Sequence, residues 1–267
     1  MGMTIKSREN LVLLYLLVAA AALVIAAGSL WVLFSDGLKA QAAAFPYGAR
    51  EFRFALFAAG ICGAHAVGTL TVLAFRAGKS ASIELFFLAL FSLGLGLEAG
   101  RLFMPWLMAQ GAGLYTLGMV SKIVLFGRYL SILSLFMGSL FAIGLAQERL
   151  DFVLGAAFLV AAFFTSIHPL NTSVMGSSLV VELGYARLVR MFESLMLAIC
   201  FVNYLVAWKE RRDRAFLLAG LGSAAIAVSA YILRGNPSHW SYLALVPLLL
   251  GGTWLHVKSM YAHYLWR

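Results

Sequence analysis

Long apolar runs separated by short polar breaks dominate the 267-residue chain. Several runs approach or exceed the roughly 20 residues that a helix needs to cross about 30 Å of hydrocarbon, whereas membrane barrels show short alternating segments. The pattern therefore predicts an all-α, polytopic helical membrane protein with about eight transmembrane helices. We place the spans at about 11–34, 52–75, 83–104, 120–146, 152–168, 186–208, 215–233 and 240–262.

The breaks between spans carry turn-forming and polar residues, as in Phe45-Pro46-Tyr47-Gly48. The fifth span is short and ends at His168-Pro169, so seven spans remain the alternative. The longest connections, around 35–51 and 169–182, are too short to fold independently. We therefore expect residues 1–267 to form a single transmembrane helical-bundle domain.

Composition agrees with this class. The chain is 63% hydrophobic and only 12% charged, whereas soluble domains carry roughly 25% charged residues. The net charge of +9 is explained by cationic loops and attraction to anionic lipid. We therefore expect membrane lipids, with anionic ones preferred, as partners and no nucleic acid.

The distribution of Lys and Arg predicts the orientation, because cytoplasmic loops retain positive charge. With the N-terminus in the cytoplasm, the outer loops hold only Lys39, Arg50, Arg53 and Arg234, and eight spans also place the C-terminus inside. We expect a multi-pass protein of a bacterial inner membrane with both termini cytoplasmic. The cations then on the inner side include Lys6, Arg8, Arg76, Lys79, Arg149, Lys209, Arg211, Arg212, Arg214, Lys258 and Arg267.

The stretch from Val180 to Leu195 places charges at the head of an apolar run. Counted from Trp208 at the inner interface, Glu193 lies roughly 22 Å away along a helix, which is within the outer leaflet. Arg187, Arg190 and Glu193 step by three, so neighbours share a helical flank on which they can pair. We expect this flank to face the bundle.

Two other spans carry charges at the same level. Glu98 and Arg101 form an i,i+3 pair near the outer end of the third span, and Arg128 lies about 9 Å below the outer rim in the fourth. Charges inside a bilayer are costly unless they are paired, so they favour a functional site. The candidate ligand-binding residues are Glu98, Arg101, Arg128, Arg187, Arg190 and Glu193.

Two interpretations of this charged layer stay open. In the first, the charges are structural pairs that fix helix register, and Arg101, Lys122 and Arg187 extend to the membrane interface. In the second, they line a polar pocket that opens outward. Even with Glu182 included, the arginines outnumber the carboxylates, so such a pocket would bind an anionic lipid headgroup or a small anionic solute.

His65 lies near the middle of the second span, among Gly60, Gly63 and Gly68. Small residues let another helix approach closely, so we expect His65 to be buried and hydrogen-bonded to a neighbouring helix, without a metal. Proton handling and haem ligation are the alternatives, and haem would need a second histidine at matching depth. By residue count along its span, His256 lies several ångströms nearer the cytoplasmic side than His65. The two histidines therefore do not match in depth, and we expect no cofactor.

Catalytic motifs are absent from the sequence. It has no nucleophile elbow, HExxH or Gly-rich phosphate loop, which disfavours a membrane protease or an NTP-driven enzyme. A lipid-modifying enzyme would depend on Glu98, Glu193 and His168 as acid or base groups. A secondary transporter would favour broken helices, and only Pro105 and Pro247 are placed to interrupt a span.

We therefore favour a non-enzymatic membrane module, either receptor-like in a signalling system or a subunit of a larger membrane assembly. A secondary transporter and, after it, a lipid-modifying enzyme are the alternatives. Contact with a cytoplasmic or membrane protein partner would use the "KERRDR" segment at 209–214 and the C-terminal tail "MYAHYLWR" at 260–267.

The eight-span topology predicts that reporter fusions at residue 210 and at the C-terminus both report the cytoplasm. The physical basis is the retention of Lys and Arg on the inner side of the membrane. Opposite locations of the two reporters would show that one of the late spans does not cross.

Overall fold

The structure of the protein, a computed structural model, describes residues 3–33, 36–77, 82–235 and 241–265. Within these residues eight helices are long and apolar enough to cross a membrane, which confirms the all-α polytopic prediction and includes the short fifth span. They are Ile5–Val32, Ala49–Phe75, Ile83–Ala109, Leu114–Ala142, Gln147–Ile167, Ala186–Arg211, Arg214–Arg234 and Ser241–Tyr264. Phe34, Lys79, Trp240 and Arg267, which the sequence predictions used, lie outside the described residues.

Ten α-helices and two short 3-10 turns make up the helical part of the described chain. The turn Leu97–Ala99 joins α4 to α5 within the third span, and the turn Gln147–Arg149 precedes α7. The helices are α1 (Ile5–Val32), α2 (Asp36–Ala44), α3 (Ala49–Ala77), α4 (Ile83–Gly96), α5 (Gly100–Ala109), α6 (Leu114–Ala142), α7 (Leu150–Ile167), α8 (Ala186–Arg211), α9 (Arg214–Arg234) and α10 (Ser241–Leu265).

The third span is the central helix of the bundle. Every residue of α4 is buried, as expected for a helix that is apolar around almost its whole circumference. It packs most extensively against α6. Charges carried by the third span are therefore placed in the protein interior and away from lipid.

The connection between α7 and α8 folds into a β-hairpin that the sequence predictions did not include. Strands β1 (Leu170–Met175) and β2 (Val181–Leu183) pair antiparallel, with Leu170 opposite Leu183. Leu179 at the tip is completely buried and packs with Phe45 and Phe52 beside α3. The hairpin therefore covers one end of the bundle, which we call the hairpin end.

Polar contacts bring several helix termini together at the opposite end, which we call the terminal end. Tyr264 in the last turn of α10 donates a hydrogen bond to Glu84 in the first turn of α4. His263 pairs with Asp213, which caps the start of α9. The α8–α9 junction and the end of α10 therefore lie at the same end of the bundle.

The crossing of α4 and α6 depends on two glycines. A Cβ atom on Gly94 would lie 2.5 Å from the carbonyl oxygen of Gly127, and a Cβ on Gly127 would lie equally close to that of Gly94. Without side chains the two backbones come into direct contact. Since Glu98 lies one turn after Gly94 and Arg128 directly follows Gly127, this contact sets the two charged residues side by side.

Gly94→Ala or Gly127→Ala should destabilise the protein by about 1–3 kcal/mol, because the added methyl group meets backbone rather than a movable side chain. The measurement is thermal unfolding of the purified protein in detergent. Gly155→Ala in α7 is the matched control, since nothing lies within 4 Å of its added Cβ. Equal stability of Gly127→Ala and Gly155→Ala would contradict the proposed role of the crossing.

Candidate functional site

Three arginines surround one buried carboxylate near the hairpin end. Glu98 is fully buried. Arg128 donates two hydrogen bonds to its carboxylate, from Nε to Oε1 at 2.8 Å and from Nη2 to Oε2 at 3.1 Å. Arg101 Nη1 lies 3.4 Å from Oε2, and Arg234 Nε lies 3.3 Å from Oε1. We call Glu98, Arg101, Arg128 and Arg234 the Glu98 cluster.

The cluster joins three spans and the hairpin. The third span contributes Glu98 and Arg101, while α6 contributes Arg128 and α9 ends on Arg234. Arg101 also donates from Nε to the Ser178 carbonyl of the hairpin at 2.7 Å and from Nη1 to the Leu233 carbonyl at 3.3 Å. Because the last carbonyls of a helix lack intrahelical partners, Arg101 also stabilises the end of α9.

Arg234 is the member that the sequence predictions missed. They assigned it to an outer loop, but it is the last residue of α9 and only 6% exposed. The available signal was that Arg234 directly follows the apolar run 215–233 without an intervening polar residue. One more helical residue was enough to move this charge from the loop into the bundle.

The cluster contains more positive than negative charge. Glu193 is buried on α8 and interacts electrostatically with Arg234 and Arg128, but it makes no close ion pair with them within the described part of the chain. Three guanidinium groups against two carboxylates leave one excess positive charge, even with Glu193 counted as ionised. Arg101 Nη2 and Arg234 Nη2 are buried without a hydrogen-bond partner among the described residues.

Arg187 and Arg190 do not join the cluster, so the prediction that all six candidate residues face the bundle is wrong for these two. Both are exposed, and Arg190 Nε donates to the Ala186 carbonyl of its own helix at 3.3 Å. The buried face of α8 includes Val189 and Glu193. Arg190 directly follows Val189, so its side chain is turned by about 100° from that face.

Among the described residues, the hairpin covers the side of the cluster formed by Glu98 and Arg101. Glu98 and Arg101 have no exposed surface. The hairpin lies over them through the Ser178 carbonyl, and the Val181 amide of the hairpin donates to Ser121 Oγ on α6 at 3.0 Å. The 169–182 connection therefore packs onto the bundle over this part of the cluster.

His168 is engaged through both ring nitrogens. Nε2 lies 2.6 Å from the Gly184 carbonyl and must donate to it, so Nδ1 accepts the hydrogen bond from the Tyr129 hydroxyl at 3.2 Å. These bonds connect the end of α7 to the hairpin base and to α6. In this arrangement His168 has no free nitrogen for acid or base catalysis.

His65 is buried and bonded to a neighbouring helix, as predicted. Its Nε2 lies 2.9 Å from Thr253 Oγ1 on α10 and 3.4 Å from Thr69 Oγ1 one turn along α3. The Thr253 hydroxyl donates to the Leu249 carbonyl at 2.8 Å, so it accepts from His65 Nε2. Within the described ranges no group of three or more His, Cys, Asp or Glu side chains is placed to hold a metal.

The 209–214 segment is tied to the bundle at the terminal end. Asp213 accepts from the Ala215 amide and contacts His263, while the Arg211 guanidinium lies 4.8 Å from the Phe216 ring centre. The C-terminal tail continues α10 as far as Leu265. These contacts hold both segments suggested for partner binding on the same end of the bundle.

Comparison of the chain with protein-family models, curated proteins and solved structures finds no match.

Glu98→Gln should cost more stability than Arg128→Gln. Loss of the carboxylate charge leaves three buried arginines beside Glu193 alone, and disruption of a buried ion pair typically costs about 3–5 kcal/mol. After Arg128→Gln, two arginines still compensate Glu98. Thermal unfolding measures the order, with exposed Arg190→Gln as a control expected to stay within about 0.5 kcal/mol of wild type. Equal losses for Glu98→Gln and Arg190→Gln would contradict the structural role of the cluster.

Proposed function

We propose that this multi-pass protein is a non-enzymatic membrane module, receptor-like or a subunit of a larger assembly. In this proposal the Glu98 cluster binds an anionic lipid headgroup or a small anionic solute. The excess of arginine over carboxylate in an enclosed site is the observation that carries the proposal. Arginine forms paired, planar hydrogen bonds with carboxylates and phosphates, which suits such ligands.

The unused donors of the cluster support anion binding in particular. Buried polar groups normally have a hydrogen-bond partner, and a buried donor without one costs roughly 1–3 kcal/mol. Among the described residues, Arg101 Nη2 and Arg234 Nη2 are two such donors. A phosphate or carboxylate ligand would supply acceptor oxygens to both and would balance the excess charge.

Access to the cluster would require movement of the hairpin. The Ser178 carbonyl already occupies Arg101 Nε, and this neutral acceptor holds a position that an anionic oxygen would fill more strongly. Binding would therefore exchange the Ser178 contact for the ligand. This exchange would change the position of the hairpin, which supports a receptor-like output over a purely structural role.

The alternative functions have weaker support. The helix interruption at Leu97–Ala99 carries Glu98 and is the feature that favours transport. The interruption is a single turn, however, and Glu98 is held by three arginines. Acid–base chemistry on a lipid would depend on Glu98, Glu193 and His168. Glu98 and His168 are held by hydrogen bonds, which leaves Glu193, buried on α8, as the one group of the three without a close partner among the described residues.

We also propose an orientation in the membrane and the partners of the protein. The hairpin end would face outward and the terminal end the cytoplasm of a bacterial inner membrane, because Lys209, Arg211, Arg212 and Arg214 belong to the α8–α9 junction. A cytoplasmic or membrane protein partner would contact this junction and the C-terminal tail. Anionic lipids would be preferred around the protein.

If the cluster binds anions, inorganic phosphate should raise the thermal unfolding temperature of the wild-type protein relative to chloride at equal ionic strength. Phosphatidylglycerol should likewise raise it relative to phosphatidylcholine. At a ligand concentration of 100 times Kd, binding raises the free energy of unfolding by about 2.7 kcal/mol. Arg234→Gln should lose the gain produced by inorganic phosphate, because the substitution removes both an unused donor and the excess charge. Arg190→Gln should keep it, since Arg190 is exposed and outside the cluster. A phosphate-induced gain of equal size in Arg234→Gln, or no gain in wild type with either probe, would contradict the proposal.

A further inference from the structure

A cavity lies on the flank of the bundle, between α3 and α10. It has a volume of about 960 Å³ and is lined by one face of α3 from Ile61 to Val72 and one face of α10 from Val246 to Ala262. We call it the lateral groove. It is separate from the Glu98 cluster, whose members do not line it.

Small residues on α3 leave the space that forms the groove. Ala64 and Gly68 line it one helical turn apart and are both exposed, and nothing lies within 4 Å of a Cβ atom built on Gly68. Hydrogen bonds join α3 and α10, among them one from the Tyr242 hydroxyl to the Phe54 carbonyl and one between His65 and Thr253. The two helices are therefore joined, but Ala64 and Gly68 present no large side chain to fill the gap beside these contacts.

The interior of the groove suits a hydrocarbon chain. Most of its lining is aliphatic or aromatic. At its centre His65 Nε2 bonds to Thr253 and Thr253 bonds to Leu249, while His65 Nδ1 is buried without a hydrogen-bond partner among the described residues. Along α10, Lys258 and Val246 are separated by roughly 18 Å at 1.5 Å per residue, similar to the roughly 15 Å of one leaflet. The groove thus matches a chain that enters from the terminal end.

A cation lies toward the terminal end of the groove. Lys258 is exposed, and its Nζ lies 4.5 Å from the centre of the Trp254 ring. No carboxylate pairs with Lys258 in the described part of the chain. Basic positions between transmembrane helices favour anionic headgroups, and a Lys near the membrane surface contributes about 1 kcal/mol to such binding.

We propose that the lateral groove binds one anionic phospholipid, with an acyl chain between α3 and α10 and the phosphate at Lys258. A transmembrane helix is the competing occupant, because Gly60, Ala64 and Gly68 are spaced four apart and would let another helix approach. The phospholipid fits better, since it pairs the phosphate with Lys258 while its chain fills the apolar part. An apolar helix would leave Lys258 without a counter-charge.

Native mass spectrometry of the purified full chain, exchanged into an equimolar mixture of phosphatidylglycerol and phosphatidylcholine, tests the proposal. The wild type should retain one phosphatidylglycerol through mild activation. Lys258→Gln should reduce the preference for phosphatidylglycerol about five-fold, the equivalent of about 1 kcal/mol. Lys209→Gln, an exposed cation in the last turn of α8, should leave the preference unchanged.

Gly68→Leu should abolish retention of either lipid, because its side chain occupies the groove. The structure offers it room, and Gly155→Leu on the exposed face of α7 is the matched control that should retain lipid. Arg234→Gln should also retain the groove lipid, which separates this result from the outcome at the Glu98 cluster. Lipid retention by Gly68→Leu equal to that of Gly155→Leu would overturn the proposal. A wild-type dimer that becomes monomeric in Gly68→Leu, with lipid retention unchanged, would overturn it in favour of a second copy of the chain.

Discussion

The carboxylate of Glu98 imposes the constraint on which this bundle depends. It lies on the central helix with no exposed surface, and an ionised group there is tolerated only if it is paired and hydrogen-bonded. Arginines from the third span, α6 and α9 meet this requirement. At the crossing of α4 and α6, the backbones of Gly94 and Gly127 are in direct contact. This contact brings α6 close enough for Arg128 to donate two hydrogen bonds to Glu98. Helix register, helix spacing and charge compensation are therefore coupled at one position in the fold.

The same cluster relates structure to the proposed function. A register-fixing ion pair needs one cation for each carboxylate, and the cluster brings three arginines to Glu98 with Glu193 nearby. The third guanidinium is the part that structural pairing leaves unexplained, and anion binding would use it. Because Arg101 holds both Glu98 and the Ser178 carbonyl of the hairpin, occupancy of the cluster and position of the hairpin would be linked. The structural and ligand-binding interpretations thus use the same contacts and differ in the use of the excess arginine.

The two candidate sites differ in charge and polarity. At the hairpin end, charges are enclosed by protein and their surplus is positive. In the lateral groove, His65 Nε2 bonds to Thr253 and Thr253 bonds to Leu249, and most of the remaining surface is apolar with Lys258 toward one end. An enclosed charged site selects a ligand by its oxygens, whereas a lipid-facing groove selects by chain and headgroup together. This difference is why the anion proposal and the lipid proposal can be tested with separate variants, Arg234→Gln and Lys258→Gln.

The sequence by itself determined the class of fold, the eight apolar helices and the burial of His65 and Glu193. These features follow from the thickness of the hydrocarbon, the helical rise and the cost of unpaired polar groups, all of which are read along one helix. The pairs of Glu98 with Arg101 and Arg128 could also be anticipated, because the three residues count to the same depth. Tertiary structure alone decided that Arg190 turns outward, that Arg234 enters the cluster and that the hairpin covers it. Depth along a span does not specify rotation about its axis, and a loop sequence does not specify what it packs against, so these outcomes depended on contacts between elements distant in the chain.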